Sequence, residues 1–277
     1  MPVKIRSISK VVDETGLKIL IHGPAGAGKT VMCCTTGEPT LLISAESGLL
    51  SVKNAPKYIK VAIIETIDDL EDIYAFLLDP KNVEKFPWVA LDSISEIAER
   101  VLYNEKQAAA DPRKAYGNMQ DYIEDRLRKF RDLSDLGYNI VMSCKQQRIQ
   151  EDGRASFYGP LMPGQKLHQK IPYLFDEVFA LRVEKEKDGS VYRVIQTGRD
   201  NAYEAKDRSG MLDMFEPPNL KKIARKIKGE IPKEEQEEKI EVTEQAASVE
   251  DKDVEVPAAT ERTPVEIETE EVEVEEV

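Results

Sequence analysis

The sequence predicts an α/β protein whose mainly parallel, twisted β-sheet is flanked by helices and followed by a β-hairpin. Three observations predict this fold class. Short apolar runs alternate with amphipathic stretches over residues 18–144, which is the pattern of parallel strands joined by helices. A glycine-rich segment separates the first apolar run from a stretch that can form a helix, as in a strand–loop–helix unit. Further along, Lys187-Asp-Gly joins two β-rich runs and favours a hairpin.

The predicted elements follow one another in a regular order. The predicted strands are residues 18–22, 40–45, 58–64, 88–92 and 138–144, with hairpin arms at 177–184 and 190–197. Helices are expected from Val31 onward, over 68–78, from the capping box Ser93-Ile-Ser-Glu96 to about Ala110, and over 119–136, which Gly137 closes. Residues 145–168 are predicted to be loop-like. Ligands bind such sheets at the carboxyl ends of the strands.

Acidic residues are concentrated at the C-terminal end of the chain, whose net charge is −13. Residues 230–277 hold 19 acidic and 4 basic residues, which leaves 33 acidic and 35 basic residues in 1–229. The C-terminal segment has no glycine and no aromatic residue, so it cannot bury enough apolar surface to fold alone. We therefore predict a core over residues 1–229 and a disordered acidic tail over 230–277.

The cysteines and the apolar runs indicate the compartment. Cys33, Cys34 and Cys144 have neither metal-ligand nor disulfide spacing, and Cys33 and Cys34 are expected to pack as small apolar residues. A reducing cytoplasm fits this usage. No apolar run approaches the ~20 residues that span a bilayer, and the N-terminus does not resemble a signal peptide. The sequence thus predicts a cytoplasmic protein with no membrane partner.

The glycine-rich segment after the first strand fits the phosphate-binding loop pattern of Gly, four residues and Gly-Lys-Thr. Its glycines allow backbone conformations that are closed to other residues, so that successive N–H groups cradle phosphates. Lys29 is expected to reach the β- and γ-phosphates, and the Thr30 hydroxyl to bind Mg²⁺. The predicted nucleotide-binding residues are Gly23, Pro24, Ala25, Gly26, Ala27, Gly28, Lys29 and Thr30.

Asp92 is the candidate carboxylate for the metal. Four apolar residues lead to it, so it is expected to end a buried strand beside the phosphate-loop strand. In that place it can hold the water shell of Mg²⁺. Asp92 is followed by Ser93, which argues against the adjacent Asp-Glu pattern of AAA+ proteins.

A second carboxylate, Glu46, follows the second strand in Leu42-Ile-Ser-Ala-Glu46. This order of motifs resembles the RecA family, in which a glutamate after the neighbouring strand polarises the attacking water. The resemblance covers roughly residues 15–200 and implies a RecA-like P-loop NTPase core that uses ATP and Mg²⁺. Residues 115–148 resemble the RecA succession of long helix, strand and polar segment, which implies that Gln146 senses the γ-phosphate. Lys145, one residue earlier, is the competing assignment.

The pattern as a whole resembles a narrower group, the phage-encoded RecA-like proteins that serve as single-strand annealing recombinases. This resemblance implies action on single-stranded DNA in the cytoplasm of a bacterial host. The first strand starts by residue 18, so no N-terminal polymerisation arm like that of RecA is expected. Whether the reaction is annealing or strand exchange stays open.

A basic motif after the hairpin, Ala205-Lys-Asp-Arg-Ser-Gly210, resembles the Lys-x-Arg-x-Gly motif of RecA-fold hexameric helicases and bacterial RadA. The resemblance implies that Lys206 and Arg208 project into the nucleotide site of an adjacent subunit, where an arginine stabilises charge on the transferred phosphoryl group. A homo-oligomer follows, with ring and filament both open. The sequence has no Asn-Lys-x-Asp guanine-reading motif, so ATP is preferred over GTP.

Two segments are candidates for contact with DNA. Residues 111–118 are expected to link two helices and align with the first DNA-binding loop of RecA. Residues 147–170 follow the sensor, as the second DNA-binding loop of RecA does. Their basic and aromatic residues suit phosphates and unpaired bases: Arg148, Arg154, Phe157, Tyr158, Lys166, His168 and Lys170.

Two other functions fit the phosphate loop. One is a small-molecule (nucleotide) kinase, although no Arg-rich lid is evident in residues 111–170. The other is a scaffold that binds nucleotide without hydrolysis and recruits replication or single-strand-binding proteins through its acidic tail. The tail can alternatively compete with DNA for the basic loops.

Overall fold

Eleven strands and eight α-helices form in the residues that the computed structural model describes, which are 5–46, 48–108, 111–150, 155–164 and 166–231. The strands are β1 (Lys18–His22), β2 (Thr40–Ser44), β3 (Ile59–Ile63), β4 (Trp88–Asp92), β5 (Asn139–Cys144), β6 (Gln146–Ile149), β7 (Phe157–Pro160), β8 (Glu177–Lys185), β9 (Val191–Gln196), β10 (Lys206–Asp207) and β11 (Phe215–Glu216). The helices are α1 (Ile8–Glu14), α2 (Lys29–Cys33), α3 (Ile67–Leu77), α4 (Lys81–Lys85), α5 (Ile94–Ala108), α6 (Pro112–Asp132), α7 (Leu167–Lys170) and α8 (Leu220–Ile227).

The central sheet has the strand order β11-β9-β8-β1-β5-β4-β2-β3, with β10 paired to β8. The pairings of β1 with β5 and β8, of β4 with β5, and of β2 with β4 and β3 are parallel. The pairings of β9, β10 and β11 are antiparallel. The predicted RecA-like α/β fold, with its mainly parallel sheet and its hairpin of β8 and β9, is confirmed.

One expectation about strand order is wrong. The strand that ends in Asp92 was expected to lie beside the phosphate-loop strand, but β5 lies between β4 and β1. Hydrophobic runs identify strands without fixing their order in a sheet, because every buried parallel strand has a similar apolar composition. The inserted strand matters for the site, since β5 contributes a hydroxyl next to Asp92.

Both faces of the sheet are covered at its centre, which is why the residues of β1, β2, β4 and β5 are buried almost throughout. Side chains alternate between the faces: Leu20 and Ile43 pack with α3, α5 and α6, whereas Ile19 and Ile21 pack with α2 and α8. The single tryptophan, Trp88, is buried at the start of β4, and its indole N–H donates to Glu38 at 2.7 Å. None of the helices in the described ranges is both long and apolar enough to cross a bilayer.

Helix α6 begins earlier than the sequence indicated. Asp111 caps it by accepting from the Arg113 N–H at 2.9 Å, and Pro112 occupies the first turn. Backbone N–H groups in the first turn have no partner within the helix, so the missing N–H of a proline costs nothing there. The expectation that residues 111–118 form a linker is therefore wrong, because most of them are helical. The helix ends at Asp132, and a 3₁₀ turn leads to Gly137, which closes it with φ +97° as predicted.

The segment predicted to be a loop over 145–168 is partly ordered. β6 and β7 form an antiparallel two-stranded sheet of their own, and α7 follows. Helix α1 before the first strand was not predicted. The disordered tail predicted over 230–277 lies outside the described residues except for 230 and 231.

Candidate functional site

The glycine-rich loop lies between β1 and α2, and two of its glycines adopt conformations that favour glycine. Gly26 and Gly28 have φ of +75° and +101°, a region that side chains disfavour. Gly23 is required for a different reason: a Cβ there would meet the Leu181 carbonyl oxygen at 2.8 Å. The Lys29 ammonium donates to the carbonyls of Gly23 and Pro24 at 2.9 and 3.0 Å, so it spans the mouth of the loop.

Asp92 lies against the start of α2 despite the inserted strand. The Thr30 hydroxyl donates to its Oδ2 at 2.5 Å, and the Ser143 hydroxyl of β5 donates to Oδ1. Asp92 and Ser143 are both buried, so hydroxyl donors satisfy both carboxylate oxygens away from water. Sequence analysis missed Ser143, for which the only signal was a serine within the apolar run Asn139–Cys144.

The residues around Asp92 fit a magnesium ion. Mg²⁺ prefers oxygen ligands and is usually held by one or two protein groups together with substrate phosphates and waters. Thr30 and Asp92 provide such a set. No cluster of three or more His, Cys, Asp or Glu that could hold a metal exists in the described part of the chain.

Glu46 is positioned at the carboxyl end of β2 by contacts on both sides. The Ser93 hydroxyl donates to Glu46 Oε1 at 2.6 Å, and the Ser44 hydroxyl donates to the Glu46 carbonyl at 2.6 Å. Arg100 of α5 donates to the carbonyls of Ala45 and Ile64 at 2.6 and 2.9 Å, which fixes the ends of β2 and β3. The predicted capping box at Ser93 is only half formed, because the Glu96 carboxylate contacts Lys145 instead.

The structure separates the two sensor candidates. The Lys145 ammonium is 3.0 Å from Glu96 and 2.9 Å from Glu99. Partial burial opposes its charge, but these carboxylates outweigh it and raise the pKa of Lys145. Gln146 begins β6, and its Oε1 is buried without a hydrogen-bond partner among the described residues. Gln146 is thus the one of the two with an acceptor still to be satisfied.

These groups share one cavity of about 750 Å³. Loop residues from Pro24 to Thr30 line it together with Glu46, Asp92 and Gln146. The carboxyl ends of β1, β2, β4 and β5 meet there, as the edge of a parallel sheet allows. Arg193 of β9 also lines the cavity and donates from Nε to the Ala27 carbonyl at 2.9 Å. No sequence motif indicated Arg193.

Lys206 and Arg208 lie elsewhere in the same chain. Lys206 is the first residue of β10, which pairs with the first residues of β8, and Arg208 comes directly after β10. Both are at the opposite end of the sheet from the phosphate loop. The Lys206 ammonium donates to the carbonyls of Pro172 and Phe175, and Arg208 forms an exposed ion pair of 2.5 Å with Asp176. Neither residue reaches the cavity within one subunit.

His22, the last residue of β1, links the loop to a later segment. Its Nε2 donates to the Glu204 carbonyl at 2.6 Å, and burial, the largest cause, lowers the pKa of His22 to about 4. The ring is therefore neutral near pH 7. Behind the loop, Cys33 and Cys34 pack in the core as predicted.

The chain is similar in sequence to one family of known proteins. The sequence profile of the AAA_24 family, described as an AAA domain, matches residues 15–209. A search of curated proteins found no match. Among solved structures, the KaiC-like protein PH0186 of the archaeon Pyrococcus horikoshii is 16% identical with a TM-score of 0.39, over 65% of this chain and 77% of that one.

Proposed function

Because that profile spans well over half of its length, the protein belongs to the AAA_24 family of AAA domains, and we propose that it is an ATPase that acts on single-stranded DNA. Its phosphate loop makes it a P-loop NTPase. The observation that carries ATP hydrolysis is the shared cavity, where the loop, Glu46, Asp92 and Gln146 meet. The finer proposal is a phage recombinase that anneals or exchanges DNA strands. It rests on the sequence resemblance to phage-encoded RecA-like annealing recombinases.

The phosphate loop and three polar side chains beside it have distinct roles in the proposed reaction. Backbone N–H groups of the loop and the Lys29 ammonium hold the β- and γ-phosphates. Glu46, oriented by Ser93, accepts a proton from the water that attacks the γ-phosphorus. Thr30 and Asp92 hold Mg²⁺, which when bound neutralises charge on the phosphate oxygens. The amide N–H of Gln146 donates to the γ-phosphate. Binding or loss of the γ-phosphate therefore moves the start of β6, where Gln146 lies.

Contact with DNA is proposed for the surface around β6 and β7. This surface combines aromatic rings with cations: Tyr158 and Tyr203 stack with centroids 5.3 Å apart, and the Arg182 guanidinium lies 4.4 Å from the Tyr203 ring. Beside it, a cavity of about 670 Å³ is lined by Phe157, Lys170, Tyr173 and Arg199, among others. Rings and cations together suit unpaired bases and their phosphates.

The connection to the ATP site supports this location. Only one residue separates Gln146 from Arg148 on β6. On β7, the backbone of Tyr158 bonds to Ala202 and Glu204, and Glu204 accepts from His22 next to the phosphate loop. The proposed DNA surface and the phosphate loop are thus joined by two short paths.

We further propose that the protein is a homo-oligomer in which Lys206 and Arg208 act on the nucleotide of a neighbouring subunit. The acidic tail is proposed to compete with DNA for the basic surface, or to recruit a replication or single-strand-binding protein.

The test is ATP turnover by the full chain, measured with and without oligo(dT) over a range of protein concentrations. Stimulation by DNA and a rise in specific activity with concentration are expected, because the site is completed by a neighbour. Arg148→Ala should reduce the DNA stimulation and leave DNA-free turnover unchanged, whereas Arg131→Ala on α6 is the matched control. Turnover that requires a small phosphate acceptor would indicate a kinase, and binding without turnover would indicate a scaffold.

A further inference from the structure

The hairpin of β8 and β9 reaches beyond the rest of the central sheet. β8 pairs with β1 only as far as Ala180, and β9 pairs with β11 only at Ile195 and Gln196. Over residues 181–194, which we call the outer hairpin, the two strands pair with each other and with no other strand in the described ranges. The position of the outer hairpin is therefore set by the side chains on its two faces.

One face of the outer hairpin lies on the phosphate loop. Leu181 and Arg193 share this face, because Leu181 pairs with Ile195, two residues along β9 from Arg193. The Arg193 Nε donates to the Ala27 carbonyl at 2.9 Å, which is its only hydrogen bond to a described residue. The Leu181 carbonyl oxygen lies 2.8 Å from the position that a Cβ on Gly23 would take. The hairpin thus contacts the loop near both of its ends.

The hydrogen bond of Arg193 fixes the peptide group between Ala27 and Gly28. In a trans peptide the C=O and the N–H point to opposite sides of the chain, so an anchored Ala27 carbonyl also fixes the direction of the Gly28 N–H. Gly28 has φ +101°, and a glycine backbone turns more freely than any other. Backbone N–H groups of this loop are the donors that cradle phosphates. Arg193 can therefore control a phosphate donor through the loop.

The opposite face of the outer hairpin lies on the proposed DNA surface. Arg182 is on this face, because side chains alternate along a strand, and its guanidinium lies 4.4 Å from the Tyr203 ring. Arg182 also donates to Glu184 and Gln196 at 2.6 and 2.7 Å, which ties it to both strands of the hairpin. Tyr203 in turn stacks on Tyr158 of β7. A base that stacks on these rings therefore acts on Arg182 and, through Arg182, on the hairpin.

We propose that Arg193 is a positioning residue for ATP hydrolysis, through which the β8–β9 hairpin carries the binding of single-stranded DNA at Tyr158 and Tyr203 to the phosphate loop. This inference rests on the proposed function, since it needs a nucleotide at the loop and DNA at the stacked rings. DNA holds the outer hairpin in place, and the hairpin then keeps the Gly28 N–H directed at the phosphates. Each ligand tightens the binding of the other by the same factor, because the coupling between two sites is reciprocal.

The test measures this coupling factor on the full chain with ATPγS, a slowly hydrolysed analogue of ATP. The factor is the ratio of the ATPγS dissociation constants without and with saturating oligo(dT), so it cancels a change that affects nucleotide binding alone. The wild type should show a factor of at least about five, and ATPγS should tighten oligo(dT) equally. Arg193→Ala should bring the factor to within about twofold of one. Arg193→Lys should restore part of it, because an ammonium can still donate to the Ala27 carbonyl.

Two further variants separate coupling from a general effect on the hairpin. Lys187→Ala removes an exposed cation from the turn of the same hairpin and should keep the wild-type factor. Arg182→Lys keeps the charge but loses the planar group that stacks on Tyr203, so it should lower the factor as Arg193→Ala does. If Arg193 only supported the shape of the loop, Arg193→Ala would weaken ATPγS equally with and without DNA and leave the factor unchanged.

Three results would overturn the inference. One is an Arg193→Ala variant that keeps the wild-type factor, and another is a Lys187→Ala variant that loses it. The third is a wild type that binds ATPγS and oligo(dT) independently of each other. These results leave a nucleotide-binding protein that contacts DNA, whereas a wild type that fails to bind either ligand would refute the proposed function as well.

Discussion

Asp92 and Glu177 are both buried carboxylates at strand ends of one sheet, but their oxygens have different partners. Asp92, at the carboxyl end of β4, accepts from two hydroxyl groups, one on each oxygen. Glu177, at the amino end of β8, accepts the Ser209 N–H on Oε1, while its buried Oε2 has no hydrogen-bond partner within the described ranges. The Asp207 carboxylate lies beside it. Burial, and then the charge of Asp207, raise the pKa of Glu177 to about 8.

The difference teaches where charge chemistry is placed in this fold. At the carboxyl edge, donors are arranged around a carboxylate that faces a cavity and can meet a cation. At the amino edge, two carboxyl groups lie side by side, burial and Asp207 raise the pKa of Glu177, and the adjacent Lys206 donates to backbone carbonyls. If the amino edge of one subunit contacts the carboxyl edge of the next, Lys206 and Arg208 of one subunit take part in ATP hydrolysis at the phosphate loop of its neighbour.

Lys29→Ala should abolish ATP hydrolysis, with a loss of at least about 100-fold, because the phosphates lose a charge contact. The fold should survive because, among the described residues, the Lys29 ammonium hydrogen-bonds to carbonyls of its own loop. The measurement is steady-state turnover together with circular dichroism, and Lys185→Ala at the exposed end of β8 is the control. Turnover at the wild-type rate would show that ATP is not hydrolysed at the phosphate loop on the carboxyl edge of the sheet.

Arg208→Ala should reduce turnover by roughly 10³-fold if Arg208 acts as an arginine finger on a neighbour. Mixing it with Lys29→Ala should restore part of the activity, since an intact finger then meets an intact loop at some interfaces. Turnover of the mixture is measured after native mass spectrometry has shown co-assembly. A mixture that co-assembles and stays inactive would show that Arg208 does not act on the ATP of a neighbouring subunit.

Glu46→Gln should lower turnover by about 10² to 10⁴-fold, because the amide keeps the shape of the residue but cannot accept the proton of the water. ATP affinity should stay within about threefold, since Gln retains the acceptor for Ser93. ATP-dependent DNA complexes should then persist longer than those of the wild type, as measured by filter binding. A collapse of ATP affinity would instead make Glu46 part of the nucleotide or metal binding site.

Glu177→Gln should change the pH dependence of stability. The folded-state pKa of Glu177 is raised from 4.5 to about 8, so its contribution to the free energy of unfolding is complete below pH 4.5 and is lost as the pH rises through 8. The variant should therefore be more stable than the wild type at pH 9 by roughly 1–2 kcal/mol, relative to their difference at pH 6. Urea unfolding at both pH values measures this, with the exposed Glu186→Gln as control, and parallel curves would contradict it.

Truncation after Gly229 should have the smallest effect. Removal of a tethered polyanion should tighten single-strand binding a few-fold at low salt and matter less as salt rises, because ions screen the tail from the basic surface. Fluorescence anisotropy of labelled oligo(dT) at two salt concentrations measures it. Equal affinities at low salt would exclude competition and leave docking of a protein partner as the role of the tail.

Much of the carboxyl edge was predictable because its residues stand in local motifs. The loop, Glu46 after β2 and Asp92 at the end of β4 each come at the end of an apolar run, and the structure brings them into one cavity. What failed depends on tertiary partners. Ser143 and Arg193 gain their contacts only from the strand order, which composition does not encode.

Some short sequence patterns are compatible with more than one local structure. Residues 111–118 were expected to link two helices, but proline favours the first turn of a helix, where Pro112 lies, and Asp111 before it is a cap. The segment Gln146-Gln-Arg-Ile149 lacks an apolar alternation, because β6 pairs only with β7 and has no sheet to bury both of its faces. A polar strand of this kind cannot be told from a loop by its pattern.

The position of Trp88 makes the protein its own spectroscopic reporter. It is the only tryptophan in the chain, and β4 runs from its buried indole to Asp92, a span of about 13 Å at 3.3 Å per residue. Its emission therefore comes from one location, and unfolding exposes an indole that is now buried and hydrogen-bonded to Glu38. The stability comparisons above can thus be followed by intrinsic fluorescence, without a dye or a label.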